Sequence, residues 1–435
     1  MATTTFLAAL DQLLDEIAAM NVEEGALGYK FTANVGTTSF TTTDAEIIKL
    51  GTATPATRFQ GWFGYASDNT EERPVGTITV SAGTATITNL GANYTADTSS
   101  TFYLLRIPIA RLRPLFNDAL EYIPIECMVP LAHGPDDWHM QDSGTTSWTT
   151  SNVTAAKQTT AAQVLWGSQS MSFTDTAGGG TATSTTMKVE QGGTVTAHMI
   201  AKADTGTWTW RFLDNGSTAF DLDVTLTEEE WVYARRTINL ATDDEGIIGR
   251  FVGTTNLDQI DVQAMWFVKQ SQNWFQLPTW IDERFKLKSI ARGDLRQGAQ
   301  GANQWVAPAI NYVSLRDGAD YRLVAHYGDA NPAWVEMISD FWRTDPVMLT
   351  VECPASAPYG VSTLFTTDAS TTVVPAHVLT AKIKTLIGQR YGEDVAKWRQ
   401  LEALGEREYK ERWLARRTER PTLLRWQGSS GGVRI

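Results

Sequence analysis

The sequence has little of what disulfide scaffolds, metal clusters and membrane proteins require. Two cysteines, Cys127 and Cys353, occur in 435 residues, which is too few for a disulfide framework or a thiolate metal cluster. No run approaches the 18 or more uncharged apolar residues of a membrane-spanning helix, and the N-terminus lacks the basic start of a secretory signal. Asp11, Asp15 and Glu16 interrupt the first apolar stretch. We therefore expect no membrane partner.

Motifs for catalysis are also scarce. The five histidines are spread thinly, and no pair of them four residues apart flanks a glutamate as in zinc hydrolases. There is no Gly-x-Ser-x-Gly elbow and no phosphate-binding glycine loop ending in Lys-Ser or Lys-Thr. The histidines and acids of residues 133–139 are interpreted as a polar linker. The sequence predicts neither an enzyme nor a cofactor or metal.

Two groups of acidic residues are candidates for chemistry. Glycoside cleavage needs two carboxylates that flank the bond. The candidates are Asp221, Asp223, Glu228, Glu229 and Glu230. The aspartates share one face of a strand, but the glutamates fall in a loop, so no catalytic pair is predicted. Residues 243–245 offer clustered oxygens for calcium, although a plain acidic turn is the preferred interpretation.

The composition is that of a folded protein with two or three domains. Hydrophobic residues make up 42 %, aromatics 10 %, and the net charge is −13. Apolar residues at helical spacing predict a first helix from Phe6 and a short helix that starts at Pro114 and stops at Pro124. Between them, short Thr- and Val-rich runs predict a small β sandwich or barrel. From about Pro375 the pattern is helical again.

Residues 138–275 differ from their surroundings. They are crowded with Thr, Gly and Trp and hold 8 Lys and Arg against 15 Asp and Glu. Asn215-Gly216, between two alternating runs, predicts a tight hairpin. Many short strands in this length indicate a β-sandwich or jelly roll.

The predicted fold class is therefore α+β and multidomain. A mixed helical and β body is formed by residues 1–137 and 276–420, and an all-β sandwich is inserted at 138–275. A C-terminal helical segment follows, and residues 421–435 form a flexible tail. An insertion of this kind disturbs its host little, because domain termini commonly lie close together.

Four tryptophans are candidate glycan contacts. Trp208 and Trp210 are two residues apart and share one face of a strand, where they form either a sugar platform or sandwich core, with core favoured. Trp148 and Trp166 lie in less regular context and are the better candidates for exposed contacts.

The C-terminal region is basic. Residues 376–435 hold 13 Lys and Arg against 7 Asp and Glu. Glutamates interleave with the basic residues at helical spacing, which favours ion pairs over sequence-specific nucleic-acid binding. The terminal segment has the composition of a flexible docking tail. The candidate partner-docking residues are Arg416, Arg417, Arg420, Arg425, Trp426, Arg434 and Ile435.

The inserted stretch resembles the jelly rolls of carbohydrate-binding modules. The resemblance rests on the patterns of residues 166–173, 189–203 and 226–231. It implies a β-sandwich and surface glycans as ligands.

The outer body resembles neck, or head-to-tail adaptor, proteins of tailed bacteriophages. The resemblance rests on the short acidic first helix, the Gly- and Thr-rich β stretch, residues 112–123, and residues 345–351 leading to the helix of residues 375–390. It implies a virion protein assembled in the host cytoplasm, which forms a homo-oligomeric ring between portal and tail and contacts other neck or tail proteins. The alternative is a tail-fibre or receptor-binding protein that recognises host polysaccharide.

Overall fold

The computed structural model describes most of the chain, in two compact units. The described residues are 4–18, 27–53, 59–132, 134–141, 144–160, 162–167, 169–214, 219–220, 223–227, 229–277, 286–295, 299–301, 304–307, 310–324, 334–357, 364–392 and 398–414. The barrel unit comprises Thr3–Ile123 and Leu364–Pro421, and the sandwich unit is built on Pro124–Thr363. The second unit is thus an insertion in the sequence of the first.

The elements up to the start of the sandwich are mostly strands. They are β1 (Thr4–Thr5), α1 (Phe6–Ala18), β2 (Gly28–Val35), β3 (Ser39–Thr42), α2 (Ala45–Ala53), β4 (Phe63–Ala66), β5 (Glu71–Ser81), β6 (Thr84–Asn89), β7 (Asp97–Leu105), α3 (Ile109–Glu121) and β8 (Pro124–Pro130).

The central part of the chain is entirely β. Its strands are β9 (Trp148–Ser151), β10 (Val153–Gln158), β11 (Ser170–Asp175), β12 (Thr181–Ser184), β13 (Met187–Lys188), β14 (Thr194–Thr205), β15 (Trp208–Asp214), β16 (Val224–Leu226), β17 (Val232–Asn239), β18 (Gly246–Gly253), β19 (Gln259–Lys269) and β20 (Trp274–Gln276).

The last part returns to mixed structure. It contains β21 (Lys286–Asp294), β22 (Ala299–Gly301), β23 (Gln304–Val306), β24 (Asn311–Ser314), β25 (Tyr321–Val324), β26 (Trp334–Met337), a 3₁₀ turn (Asp340–Arg343), β27 (Val347–Pro354), β28 (Thr371–Thr372), α4 (Ala376–Tyr391), α5 (Arg399–Tyr409) and a π turn (Lys410–Leu414).

The barrel unit contains a closed six-stranded antiparallel barrel. Its strand order is β2-β3-β6-β5-β4-β7, as the short Thr- and Val-rich runs predict. Its interior is filled by apolar residues such as Phe40, Ile87 and Phe102. Helix α1 buries one stripe that includes Phe6, Leu10 and Leu13, which confirms the first predicted helix.

The second predicted helix starts earlier than its sequence indicates. The prediction placed Pro114 at the first helical position, but α3 begins at Ile109 and contains Pro114. The carboxylate of Glu72, on β5, accepts a hydrogen bond from the Ile109 N–H at 2.5 Å. This carboxylate satisfies an N-terminal donor that would otherwise be unpaired. The prediction was wrong because the capping group is 37 residues away in the sequence.

Glycines inside the C-terminal helices allow close packing instead of breaking the helices. A Cβ on Gly388 would lie 2.6 Å from the backbone of Glu402, and one on Gly405 would lie 2.5 Å from the Ala381 carbonyl oxygen. Only hydrogen fits at either position, so α4 and α5 approach at backbone contact. The helical segment after Pro375 is confirmed. None of the helices in the described ranges is long and apolar enough to cross a membrane.

The sandwich unit contains two facing antiparallel sheets. One has the order β10-β11-β19-β14-β17-β23-β22, and the other has the order β16-β15-β18-β12-β9, with β13 paired to β18. Side chains alternate between faces, so residues such as Phe173, Met199 and Phe267 lie between the sheets. Strands β15 and β16 pair antiparallel, with Trp210 opposite Val224. The Asn215-Gly216 turn lies outside the described residues.

The unit boundaries differ from the predicted ones at 137/138 and 275/276. Strand β23 pairs with β17, so the sandwich sheet continues beyond residue 275. Strand β8 pairs with β27 along its whole length, so both belong to the sandwich unit. These two long-range pairings move the division to 123/124 and 363/364. The predicted tail, residues 421–435, lies outside the described residues.

The Asp317-Gly318 dipeptide between the apolar runs 310–315 and 321–327 predicts a second hairpin from the sequence, and this prediction is wrong. Asp317-Gly318 does form a turn, with Gly318 at φ 74° and its N–H bonded to the Tyr321 carbonyl oxygen. However, β24 pairs with β21, whereas β25 pairs with β26. The turn therefore joins two sheets: β24-β21-β27-β8 and β20-β26-β25. The predicted fold class, α+β and multidomain with an inserted sandwich and a C-terminal helical segment, is confirmed.

Candidate functional site

The four tryptophans that the sequence nominates are all buried. Trp208 and Trp210 are fully buried between the two sheets, as the core interpretation expects, and Trp148 packs in the same cluster against Phe173. Trp166 is 4 % exposed. The expectation that Trp148 and Trp166 are exposed was therefore wrong, because each ring is covered by its own unit.

The outer face of the seven-stranded sheet carries polar and aromatic side chains, but it is covered. His198 stacks on Trp266 with ring centroids 5.0 Å apart, and its Nδ1 is 2.8 Å from the Tyr233 hydroxyl. The Thr196 hydroxyl and the Arg235 guanidinium donate to the carbonyl oxygens of residues 343 and 344 at 2.7 Å. This end of the face is therefore closed by the segment before β27. Burial lowers the pKa of His198 to about 3.

The other end of that face is covered by residues 162–167. The side-chain oxygen of Gln263 accepts hydrogen bonds from the backbone N–H groups of Leu165 and Trp166 at 2.8 and 3.2 Å. Beside it, Asp261 is completely buried, and its Oδ2 has no hydrogen-bond partner among the described residues. Burial raises the pKa of Asp261 to about 6, against the opposing charge of Lys202. Among the described residues, both ends of this face are therefore covered by other segments of the same unit.

The acidic candidates form local structure instead of a reactive pair. Asp223 is paired with the Arg211 guanidinium at 2.6 Å, while Glu229 and Glu230 are exposed; Asp221 and Glu228 lie outside the described residues. The Asp244 carboxylate accepts the Ala241 N–H at 2.6 Å within its own turn. In the described part of the chain, no three His, Cys, Asp or Glu side chains converge as metal ligands would.

The histidine-acid segment and the basic C-terminus also form internal contacts. His139 is buried, and its Nδ1 accepts the Gln141 N–H at 3.1 Å inside the sandwich unit, so this segment is not the linker between units that the sequence predicts; His133 lies outside the described residues. Arg412 contacts Glu16 and Glu408, which agrees with the predicted ion pairing. All seven candidate docking residues from Arg416 to Ile435 lie outside the described residues.

A partly exposed aromatic surface is found on the small sheet β20-β26-β25, where Trp274 is exposed and Trp334 is half-buried. Two rows of side chains cross its outer face. In the first, Trp274, Glu336 and Arg322 stand opposite one another on the three strands. In the second, the corresponding residues are Gln276, Trp334 and Val324. We call these six residues the Trp274 face.

The Trp274 face combines aromatic rings with charged and amide groups, as a binding surface does. Trp274 is 41 % exposed, although large apolar side chains are usually covered. Arg322 Nε donates to Glu336 Oε2 at 2.8 Å, and the Arg322 side chain is 62 % exposed. Opposed residues have Cβ atoms about 4.5–5.5 Å apart. The two indoles occupy diagonal positions: Trp274 lies beside the ion pair, and Trp334 lies beside the exposed amide of Gln276.

The buried side of this sheet fixes the positions of the exposed residues. Phe275 and Val335 alternate with the exposed residues and are buried, and Phe275 packs edge-to-face on Trp342 at 5.4 Å. Sequence reasoning missed the Trp274 face because residues that pair on it, such as Trp274 and Glu336, are 62 positions apart in the sequence. The available signal was the alternation in Trp334-Val335-Glu336-Met337, which indicates one exposed and one buried face.

Comparisons with known proteins give only remote similarities. No family model and no curated protein matches the chain. A solved domain of the bacteriophage CBA120 tailspike protein 4 is 15 % identical, with a TM-score of 0.28 over 32 % of this chain. The chain covers 21 % of that tailspike domain's length.

Two carbohydrate-binding modules are similar at the same level. The module TmCBM61, solved with β-1,4-galactotriose, is 14 % identical, with a TM-score of 0.26 over 32 % of this chain and 98 % of the module. The xylan-binding domain CBM22-1 from Paenibacillus barcinonensis is 12 % identical, with a TM-score of 0.26 over 33 % of this chain and 97 % of the domain. Neck and adaptor proteins are not among these three structures.

Proposed function

We propose that this protein binds a polysaccharide through the Trp274 face of its sandwich unit and does not cleave it. The observation that carries the proposal is the exposure of Trp274 beside Trp334, Gln276 and the Arg322–Glu336 pair on one face of a three-stranded sheet. The sandwich tryptophans do not compete for this role, because they are buried.

The residue types on the face match the two kinds of surface on a sugar. The C–H faces of a pyranose ring are apolar and pack on an indole ring, which offers a large rigid surface with few rotatable bonds. The hydroxyl groups at the ring edge need donors and acceptors in the same plane. Glu336 and Gln276 lie next to the two indoles in the two rows and supply these groups.

The charge of the face favours a neutral polysaccharide. Arg322 and Glu336 already form an ion pair, so the face has no net charge that requires an anionic sugar. The chain carries a net charge of −13, which adds long-range repulsion toward polyanions. Binding should therefore depend weakly on salt concentration.

The biological setting of this proposal is a tailed-phage virion assembled in the host cytoplasm. In that setting a surface that binds polysaccharide fits a tail or receptor-binding component that attaches to the host envelope. This is the alternative that the sequence analysis names, and the exposed aromatic surface favours it. The neck-ring role, with portal and tail proteins as partners, stays a prediction from the sequence resemblance.

Titration calorimetry with the full chain and soluble neutral polysaccharides tests the proposal. We expect heat of binding with at least one neutral polysaccharide, and we expect Trp274→Ala and Trp334→Ala each to weaken that binding. Leu257→Ala is the matched control, since Leu257 is a 72 % exposed apolar residue of the same unit away from the Trp274 face. Equal affinity of Trp274→Ala and the native chain would refute the assignment of the face, and shortening of the polysaccharide would refute binding without cleavage.

A further inference from the structure

The two cysteines of the chain meet inside the sheet β24-β21-β27-β8. Cys127 is on β8 and Cys353 is on β27, and their Sγ atoms are 3.3 Å apart. In the register of the pair, Cys127 stands opposite Val351, and Ile125 stands opposite Cys353. The cysteines are therefore diagonal neighbours on one face of the sheet, and both are buried.

From this approach we infer that Cys127 and Cys353 form an intrachain disulfide when the protein meets an oxidant of the low-molecular-weight disulfide class. A disulfide has its sulfur atoms about 2.0 Å apart. Diagonal pairs on neighbouring strands have Cα atoms about 7–8 Å apart, slightly beyond the usual Cα separation of about 4.4–6.8 Å in a disulfide. The side chains of this pair have already turned toward each other, so the two sulfur atoms must approach by about one ångström, and a small shift of the edge strand β8 accompanies the bond.

The reaction is two successive thiol–disulfide exchanges. The first thiolate attacks oxidised glutathione, forms a mixed disulfide and releases one glutathione thiolate, which takes up a proton. The second cysteine thiolate then attacks the sulfur of the first cysteine and releases the second glutathione. The protein loses two electrons and two protons, and glutathione disulfide gains them.

The sheet topology gives the oxidant its route. Strand β8 is at the edge of its sheet, and edge strands open locally at lower cost than central strands. The hydrogen bond with the Cys353 thiol, together with burial, raises the pKa of Cys127 well above its ordinary value, which slows attack from the closed state. Oxidation should therefore be slow and should accelerate in mild denaturant.

The position of the bond in the chain defines its effect. Cys127 is three residues after the start of the sandwich unit, and Cys353 is ten residues before its end. A bond between them closes nearly the whole inserted unit into one covalent loop, and long loops restrict the unfolded chain most. The bond therefore links the two ends of the inserted unit covalently.

The test uses the full chain incubated with oxidised glutathione and analysed by intact mass, by thiol titration in denaturant and by thermal unfolding. We expect a mass loss of about 2 Da, a fall from two titratable thiols to none, and a melting temperature of the sandwich unit several degrees higher. Cys127→Ser and Cys353→Ser should each keep one thiol, or a glutathione adduct, and show no such rise.

Three results would overturn the inference. One is the persistence of two thiols after prolonged oxidation in mild denaturant. Another is the accumulation of glutathione adducts or disulfide-linked dimers in place of the intrachain bond. The last is a lower melting temperature of the oxidised chain, which would mean that the bond distorts the sheet. None of these results depends on polysaccharide binding.

Discussion

Replacing Asp261 with asparagine tests whether the outer face of the large sandwich sheet is closed. Asp261 is fully buried on β19, opposite Ser172 on β11 and Lys202 on β14. Its surroundings also include Asp204, whose charge opposes ionisation. Asparagine has nearly the same shape and never ionises.

The magnitude follows from the pKa of Asp261, which burial raises from 3.8 to about 6. The unfolded chain loses this proton at lower pH than the folded chain does. The free energy of unfolding therefore falls as pH rises from about 4 to about 6, and stays lower above that. The full difference corresponds to about 3 kcal/mol. Asp261→Asn removes this loss. We therefore expect the free energy of unfolding of the variant to exceed that of the native chain by about 1–3 kcal/mol at pH 7.5 and to equal it at pH 4.

Urea unfolding at pH 4 and pH 7.5, followed by tryptophan fluorescence, measures this difference. Asp243→Asn is the control, because Asp243 is exposed, and it should change stability by less than about 0.5 kcal/mol at either pH. If Asp261→Asn has no effect at pH 7.5, the carboxylate lies in water and the face is open. In that case the sandwich itself would compete with the Trp274 face for the ligand.

Three further substitutions test the packing of the two units. Trp210→Ala should cost about 3–5 kcal/mol in the unfolding of the sandwich unit, since Trp210 is fully buried; a loss below about 1 kcal/mol in urea unfolding would mean that the ring is not core. Lys384→Met should destabilise the barrel unit by about 1–3 kcal/mol, because it removes the buried cation that contacts Glu16 and Glu408 and leaves Arg412 as the cation that the two carboxylates share; a more stable variant in thermal unfolding would contradict this. Gly405→Ala should lower the melting temperature of the barrel unit, because its Cβ would overlap α4; an unchanged value would show that α5 moves away freely.

Local patterns predicted the fold well where neighbours in sequence determine the structure. The stripe of Phe6, Leu10 and Leu13 is a helix because those residues lie on one face of it. The predictions failed where a distant group decides. Glu72 determines where helix α3 starts. Strand β25 pairs with β26, although the Asp317-Gly318 turn predicts that it pairs with β24.

The candidate site was less predictable than the fold. Composition correctly indicated a tryptophan-rich β unit, but Trp148 and Trp274 each begin a short strand, and only the packing of the sheets buries one and exposes the other. Exposure depends on which sheet covers which face, and that is set by strand pairings between residues 274 and 336. No short-range pattern contains that information.

Hydroxyl-radical footprinting of the full chain, with and without a bound polysaccharide, tests the central claim most directly. Trp274 is 41 % exposed, which leaves about 100 Å² of the side chain accessible. If the bound polysaccharide covers half of this area, the burial contributes about 1.3 kcal/mol to binding. The covered ring then loses much of its reactivity toward hydroxyl radicals. We predict reduced oxidation of Trp274 and Trp334, with Tyr122, which is 60 % exposed in the barrel unit, unchanged. Full reactivity of Trp274 while the polysaccharide is bound would contradict the proposal.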